Sequence, residues 1–399
     1  MRIKGITAIV LTLVLVFMLA ACGSPSTTDS ANTPAANTPA ANAPEANTPA
    51  ANTPAANAPE ANAPEANAPE ANTPAPANET TFSFTYATSN SAESPTYLTI
   101  EKPFLDRIRE KSGGRIDFVE YVGGSLLGAG AVYNGVMDGV VDMGFDMPAN
   151  VAGQFPVTAL LEQSGQGSLN ATSGAAVSYE FITQYAPNLA EYDGMRVLWM
   201  ADAGPATLTG PSAIRTIGDI RGKQIRTNAV YNVAIERLGG TAVIMNMSDV
   251  YEAFSTNMID SGWFVADAML SFSLHEVANY STIWPFNHSM IFCVIAQDTL
   301  QALPADLQQV FEDAAVWLYE EVLLGIIDNN RESSLARAQS ENPKLEIINL
   351  SAADLATITD TLAPLFDESA KKLDEQGLNG TELMNWIIDR AAYYNSIYS

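Results

Sequence analysis

Between Ala31 and Ala75 the chain repeats a pentad, Ala-Asn-Thr-Pro-Ala or Ala-Asn-Ala-Pro-Glu, without one large hydrophobic residue. Ordering such a segment costs backbone entropy and buries nothing in return, so it cannot belong to a core. Residues 23–80 are therefore expected to be a disordered, Pro-spaced tether, and the fold must lie beyond them. As a flexible coil the 45 repeat residues span roughly 35–40 Å, and as a polyproline-like chain about 140 Å.

Ahead of the tether, Met1-Arg2-Ile3-Lys4 is basic, Ile6 to Leu19 is an apolar run, and Leu19-Ala20-Ala21-Cys22 closes it. A charged start, an apolar stretch of this length and a small-residue junction describe a secretory signal, too short for a permanent span. With cysteine directly after the small pair, residues 1–22 resemble a bacterial lipoprotein signal with its lipobox. That resemblance implies acylation of Cys22 and a protein exported and anchored on the outer face of the cell membrane. The alternative is an ordinary cleaved signal with a cysteine nearby.

The whole chain carries a formal charge of −26. Arg2 and Lys4 add two positive charges, and Asp29, Glu45, Glu60, Glu65, Glu70 and Glu79 add six negative ones, leaving −22 from Thr81 onward. So acidic a surface excludes nucleic acid as a partner and argues against electrostatic adhesion to anionic lipid. It leaves an anionic small ligand open, because a single buried arginine sets the field of its own pocket. Cys293, in the run Met290-Ile291-Phe292-Cys293-Val294-Ile295, is a lone thiol among apolar neighbours and receives no chemical role.

The 319 residues from Thr81 exceed a single core and suit two lobes. Thr81 to Ala87 alternates like a strand, Tyr97 to Lys111 is amphipathic, Gly113-Gly114 ends it, and Arg115 to Tyr121 alternates again. Continued exchange of helix and strand predicts an α/β fold of parallel sheets with helical crossovers. A helical pattern from Ala305 to about Glu341, with Phe311, Ala315, Leu318 and Val322 on one face, is long enough to brace both lobes.

Within this frame, Gly222-Lys223-Gln224-Ile225-Arg226-Thr227-Asn228 reads as a strand ending on an arginine and opening into a helix near Tyr231. A guanidinium at a strand end can point into a crevice, where its fork of donors matches a carboxylate. A surface arginine in a weak exposed ion pair is the alternative from local sequence.

Several stretches then match one family in order and spacing. Tyr121-Val122-Gly123-Gly124-Ser125-Leu126-Leu127-Gly128, Val136-Met137-Asp138-Gly139-Val140-Val141-Asp142-Met143-Gly144, and Asp219-Ile220-Arg221-Gly222-Lys223-Gln224-Ile225-Arg226 resemble segments of TRAP (tripartite ATP-independent periplasmic) transporter solute-binding proteins of the DctP family. So do Leu238-Gly239-Gly240-Thr241-Ala242-Val243, Ser248-Asp249-Val250-Tyr251-Glu252-Ala253-Phe254, Met258-Ile259-Asp260-Ser261-Gly262 and Leu303-Pro304-Ala305-Asp306-Leu307-Gln308. The resemblance covers the chain from Thr81 to its end. It implies a two-lobed periplasmic-binding-protein-like fold with hinge strands and a long helix spanning both lobes. The expected division is lobe I at about 81–203 and 292–331, lobe II at about 204–291 and 332–360, with the remaining C-terminal helices packed on the lobes. It further implies capture of a small organic acid and delivery to integral-membrane TRAP permease subunits, with Arg226 paired to the ligand carboxylate.

Departures from the family bear on the ligand. Where many relatives carry a second arginine, this chain has Gly204-Pro205-Ala206, and where the family often presents Glu or Asn it has Gly262-Trp263-Phe264-Val265. Met247 stands where relatives commonly have an aromatic residue. One guanidinium facing Trp263, Phe264 and Met247 suits a monocarboxylate with an apolar body, since a second buried carboxylate would lack a partner. Ser89 and Asn90 after the first strand, Asp146 and Met147 after the strand at Met143, and Asn228 sit at strand ends where open α/β sheets bind ligands. Asp146 could accept a ligand hydroxyl, pair with Arg226 or be solvated; Asn228 could donate to ligand or cap the next helix.

A sensing subunit that signals instead of transporting would use the same pocket. An enzyme is a weaker rival: His275 and His288 lie 13 apart without a metal-ligand pattern, and no nucleophile or phosphate-binding motif occurs. No cofactor, metal or catalytic residue is expected.

Overall fold

The computed structural model describes residues 80–151, 153–163 and 167–398. The expected signal peptide, Cys22 and the pentad repeat lie outside the described residues. In β1 (Phe82–Ala87) the alternation seen in sequence holds, with Phe84 and Tyr86 buried and Ser83 exposed between Phe82 and Phe84. The following α1 (Lys102–Lys111) buries Phe104, Leu105 and Ile108 against the same core. Gly113 and Gly114, both at positive φ, then turn the chain into β2 (Ile116–Tyr121), parallel to β1. After α2 (Val132–Met137), β3 (Met143–Asp146) joins the other side of β1, also parallel.

Beyond α3 (Ala171–Gln184) and the 16-residue β4 (Met195–Gly210), the plan repeats. A second parallel set forms from β5 (Gln224–Thr227), α4 (Asn232–Arg237), β6 (Thr241–Ile244), α5 (Met247–Ser255) and β7 (Ser261–Phe264). The 17-residue β8 (Tyr280–Ala296) returns alongside β4, and β9 (Glu346–Ile348) pairs with its start. Among the described residues this is one sheet in the order β2-β1-β3-β8-β4-β7-β5-β6.

The sequence pattern predicts parallel pairing, but β4 and β8 pair antiparallel. One carries the chain from the first lobe to the second and the other brings it back, so they run in opposite directions. Their register slips where the lobes meet: Asp202 lies opposite Met290, Pro205 opposite His288, and Ala206 opposite Trp284. Proline is tolerated at such an irregularity, and Gly204 takes φ +84°.

The long helix forms as α-helix over Ala305–Trp317, one wider π-wound turn over Leu318–Leu323, and α-helix again over Leu324–Glu341. Phe311, Ala315 and Leu318 are buried in the first-lobe core. Further along, Asn330 Nδ2 donates to Thr99 Oγ1 of the first lobe at 2.8 Å, while Glu341 meets His275 Nε2 of the second at 2.9 Å. The helix thus touches both lobes.

The last helices divide themselves between the lobes. Ile358 and Leu362 of Ala352–Leu362 join Ile225 and Trp263 in the second-lobe core. Phe366, Leu373, Ile387 and Tyr394, from Pro364–Glu375 and Gly380–Tyr398, pack with Phe181 and Val197 in the first. Cys293 is wholly buried, and burial pushes its thiol pKa up. Among the described residues no helix is long and apolar enough to cross a membrane.

Candidate functional site

The C-terminal ends of β1, β3, β5 and β7 meet at one cavity, where Asn90, Met147, Asn228 and Val265 form part of the wall. Open space inside it amounts to about 50 Å³. A dry cavity of about 150 Å³ is the size that takes a benzene ring, so in this conformation the cavity is too small for an aromatic solute, which needs the lobes further apart.

Arg226 enters from β5 and is 5% exposed. Its Nε donates to Met245 O at 3.1 Å and its Nη1 to Trp263 O at 3.4 Å. These carbonyls orient the guanidinium without neutralising it, and Nη2 donates to no described residue. Burial alone pushes its pKa down to about 10, with no offset from an acid. A buried cation without a counter-charge is unfavourable unless an anion is brought to it.

Phe264 lies under that guanidinium, 5.3 Å from ring centroid to Cζ. The ring folds back over Gly262, where an added Cβ would stand 2.1 Å from Phe264 Cζ. Only glycine allows this placement of the ring. Gly262→Ala should displace it and weaken binding of an acid about tenfold through loss of the cation–π platform. Calorimetric titration with a bound acid checks this, and an unchanged affinity would refute it.

Trp263 stacks on Tyr231, with centroids 4.9 Å apart and rings 7° from parallel, and packs edge-on against Trp284. Successive strand residues face opposite ways, yet Trp263 and Phe264 both line the cavity because β7 ends there. Met247, at the start of α5, and Met147 add flexible thioether surface. Asn228 lines the cavity too. Its Oδ1 accepts from Val230 N at 3.2 Å in a turn, and Tyr231 rather than Asn228 occupies the N-cap of α4.

Asp146 behaves otherwise. It is 1% exposed, it is not part of the cavity wall, and its carboxylate accepts from the backbone N–H of Gly130, Tyr133 and Met147 at 3.0, 3.1 and 2.9 Å. Those bonds hold the loop before α2 against β3 and leave the acid turned away from Arg226. Three other acids and a tyrosine were not apparent from sequence. Asp267 lines the cavity and accepts from Ser94 Oγ at 2.8 Å and Ser271 Oγ at 3.2 Å, and burial raises its pKa. Glu101 stands behind Asn90, pushed up to about 7 by burial. Glu162, raised to about 8 by burial, accepts from Met290 N at 2.9 Å beside the lobe junction. Tyr231 follows the arginine motif closely and could have been found from it, whereas the acids depend on contacts between distant segments.

Both histidines are engaged structurally. His288 pairs through Nδ1 with buried Asp202, and His275 bonds Met269 O and Glu341. Among the described residues no group of three or more His, Cys, Asp or Glu side chains could hold a metal ion.

Residues 86–373 match the family described as bacterial extracellular solute-binding protein, family 7 (DctP). The 2,3-diketo-L-gulonate-binding periplasmic protein YiaO of Escherichia coli K12 is 25% identical over 54% of this chain and 66% of its own length. A C4-dicarboxylate-binding periplasmic protein of Rhodobacter capsulatus is matched over 44% of its length at 23% identity. The chain thus spans less than two thirds of these curated relatives. Among solved structures, a TRAP solute-binding protein of Rhodoferax ferrireducens T118 in complex with copurified benzoate superposes with a TM-score of 0.71 at 21% identity, over 80% of this chain and all of that one.

Proposed function

Because the chain belongs to family 7 of the bacterial extracellular solute-binding proteins, we propose that it is the extracytoplasmic receptor of a TRAP transporter, capturing a small monocarboxylate between its lobes. The family consists of solute-binding proteins rather than enzymes. The observation that carries this reading is Arg226, buried, oriented by two carbonyls and lacking an acid partner. A ligand carboxylate supplies the missing charge, while Phe264, Trp263, Met247 and Met147 cover an apolar body. Asn90 and Asn228 contribute amide groups from opposite lobes. A carboxylate is common to the ligands named for the relatives, a sugar acid, a C4-dicarboxylate and benzoate. Ala206, fully buried, leaves no arginine for a second one.

In this reading the β4–β8 irregularity is the hinge, and a ligand that bridges the lobes favours the closed form. The closed receptor delivers its acid to integral-membrane permease subunits. Cys22 is the proposed lipid anchor, and the repeat is the tether that lets the head reach them.

The test is a thermal-shift screen of the protein against monocarboxylates, dicarboxylates, sugar acids, neutral sugars and amino acids, with Arg226→Ala alongside. A ligand at about 100 times its dissociation constant adds roughly 2.7 kcal/mol, a shift of several degrees. Shifts confined to carboxylates and absent in the variant are expected. Shifts with neutral sugars alone, or carboxylate shifts that survive in Arg226→Ala, would sink the anchor.

A further inference from the structure

Asp267 stands where the two lobes and the long helix meet. It follows β7 of the second lobe, and its Oδ2 accepts from Ser94 Oγ of the first at 2.8 Å. Ser94 Oγ in turn accepts from Tyr97 N at 3.2 Å, so its single proton is committed to the acid. On the long helix, Ser334 Oγ lies 3.4 Å from Asp267 Oδ1 but gives its proton to Asn330 O at 2.8 Å. The firm bond across the lobes is therefore the one between Ser94 and Asp267.

Arg331, one turn before Ser334 on the same helix, lines a cavity of about 20 Å³ together with Asp267. Its Nε is buried and donates to no described residue, and no described acid pairs with the guanidinium. Burial raises the pKa of Asp267, and what opposes burial there are hydroxyl and backbone donors. A buried acid and an unpaired guanidinium thus share one cavity without meeting, although each is the partner that burial demands of the other. The arginine also lies against the hinge: a Cβ added to Gly204, within the β4–β8 irregularity, would stand 4.0 Å from Arg331 Cδ.

We propose that Asp267 is a two-position latch for lobe closure. With the lobes together it holds Ser94 and ties the first lobe to the second; when they part and the hydroxyl leaves, it turns to Arg331 and favours the open form. Asp267 is then a positioning residue, acting on a ligand through the angle between the lobes. This rests on the reading of the chain as a two-lobed receptor, but not on Arg226 as the anchor. A solute held between the lobes binds in proportion to the fraction of protein that is closed. Loss of Ser94 and loss of Arg331 must therefore act in opposite directions, which damage to packing would not do.

The experiment measures the interlobe distance in the ligand-free protein by pulsed electron paramagnetic resonance. Spin labels are placed at Leu126→Cys on the first lobe and Ile244→Cys on the second, both exposed, in a Cys22→Ser background; Cys293 is wholly buried and stays unlabelled. Ser94→Ala should lengthen the distances and Arg331→Met should shorten them. Titration of the unlabelled variants with lactate and 2-oxobutyrate should show affinity about tenfold weaker in Ser94→Ala and up to about tenfold tighter in Arg331→Met. Asp267→Asn keeps an oxygen for Ser94 and loses the charge for Arg331, so adding Arg331→Met to it should change nothing further. Distances that lengthen or stay the same in Arg331→Met, or an Arg331→Met effect that persists in Asp267→Asn, would overturn the latch. Should Ser94→Ala fail to fold, the Arg331→Met comparisons decide alone. Distances that move as expected in a protein that binds neither acid would support the latch and count against the receptor reading.

Discussion

Replacing Arg226 with methionine should abolish measurable acid binding and raise the melting temperature of the empty protein. The two effects come from the same buried charge. Two charge-assisted hydrogen bonds to a carboxylate contribute about 1.5–3 kcal/mol each, so their loss weakens binding by roughly a hundredfold to ten-thousandfold or more. In the empty protein the guanidinium has no acid to compensate its burial, which holds its pKa down to about 10. At about 1.4 kcal/mol per unit, that depression corresponds to roughly 3 kcal/mol of folding stability forgone at neutral pH. Methionine is unbranched and flexible enough to fill the vacated space. Differential scanning calorimetry without ligand and isothermal titration with it measure both halves. A lowered melting temperature would mean that the carbonyls of Met245 and Trp263 compensate the charge, and retained affinity would remove Arg226 from the site.

The melting temperature of the parent should also fall as pH rises from about 5 to about 8.5. Glu162 holds its proton to about pH 8 and Glu101 to about 7, both because burial disfavours their charged forms. Above pH 4.5, their ordinary value, the unfolded chain has released those protons while the folded chain keeps them, so raising the pH favours unfolding through that window. His288 acts in the same direction. Asp202 raises its pKa against the effect of burial, so its contribution is complete below pH 6.5 and is lost as pH climbs through the folded value. Each group in its window changes stability by up to about 1.4 kcal/mol per pH unit. Depressed acids such as half-buried Asp354 and exposed Glu341 work oppositely, losing their contribution only as pH falls below the carboxylate range. Stability should therefore peak near pH 5. Glu162→Gln keeps an acceptor for Met290 N and removes the widest window, so it should melt higher than the parent at pH 8.5 and about equally at pH 5. A parent curve that climbs over this range, or a variant curve parallel to it, would refute the account.

The sequence carried Arg226 and its neighbours well because their signals are local. A strand ending on arginine, a following helix start and an aromatic pair near the next strand end are all readable within a few residues. The burial of Trp263 and Phe264 at one cavity was less legible, since adjacent strand positions ordinarily diverge. Asp146 shows the opposite case. Its place after a strand suggested a cavity role, but its partners Gly130 and Tyr133 stand 16 and 13 residues earlier, in a loop whose path is set by tertiary packing. Asp267 bonds Ser94 across 173 residues, beyond any periodicity in the chain. Likewise, alternation of strand and helix announced an α/β fold, but not that two strands long enough to serve both lobes would cross it antiparallel.

The C-terminal helices have a consequence for the order in which the molecule is made. Leu383, Ile387, Ala391 and Tyr394 share a core with Ala87 and Val132, near the start of the described chain. That core is therefore incomplete until Gly380–Tyr398 packs against the first lobe. Contacts of such high sequence separation form late. Docking of Gly380–Tyr398 is thus expected among the last steps in closing the first-lobe core.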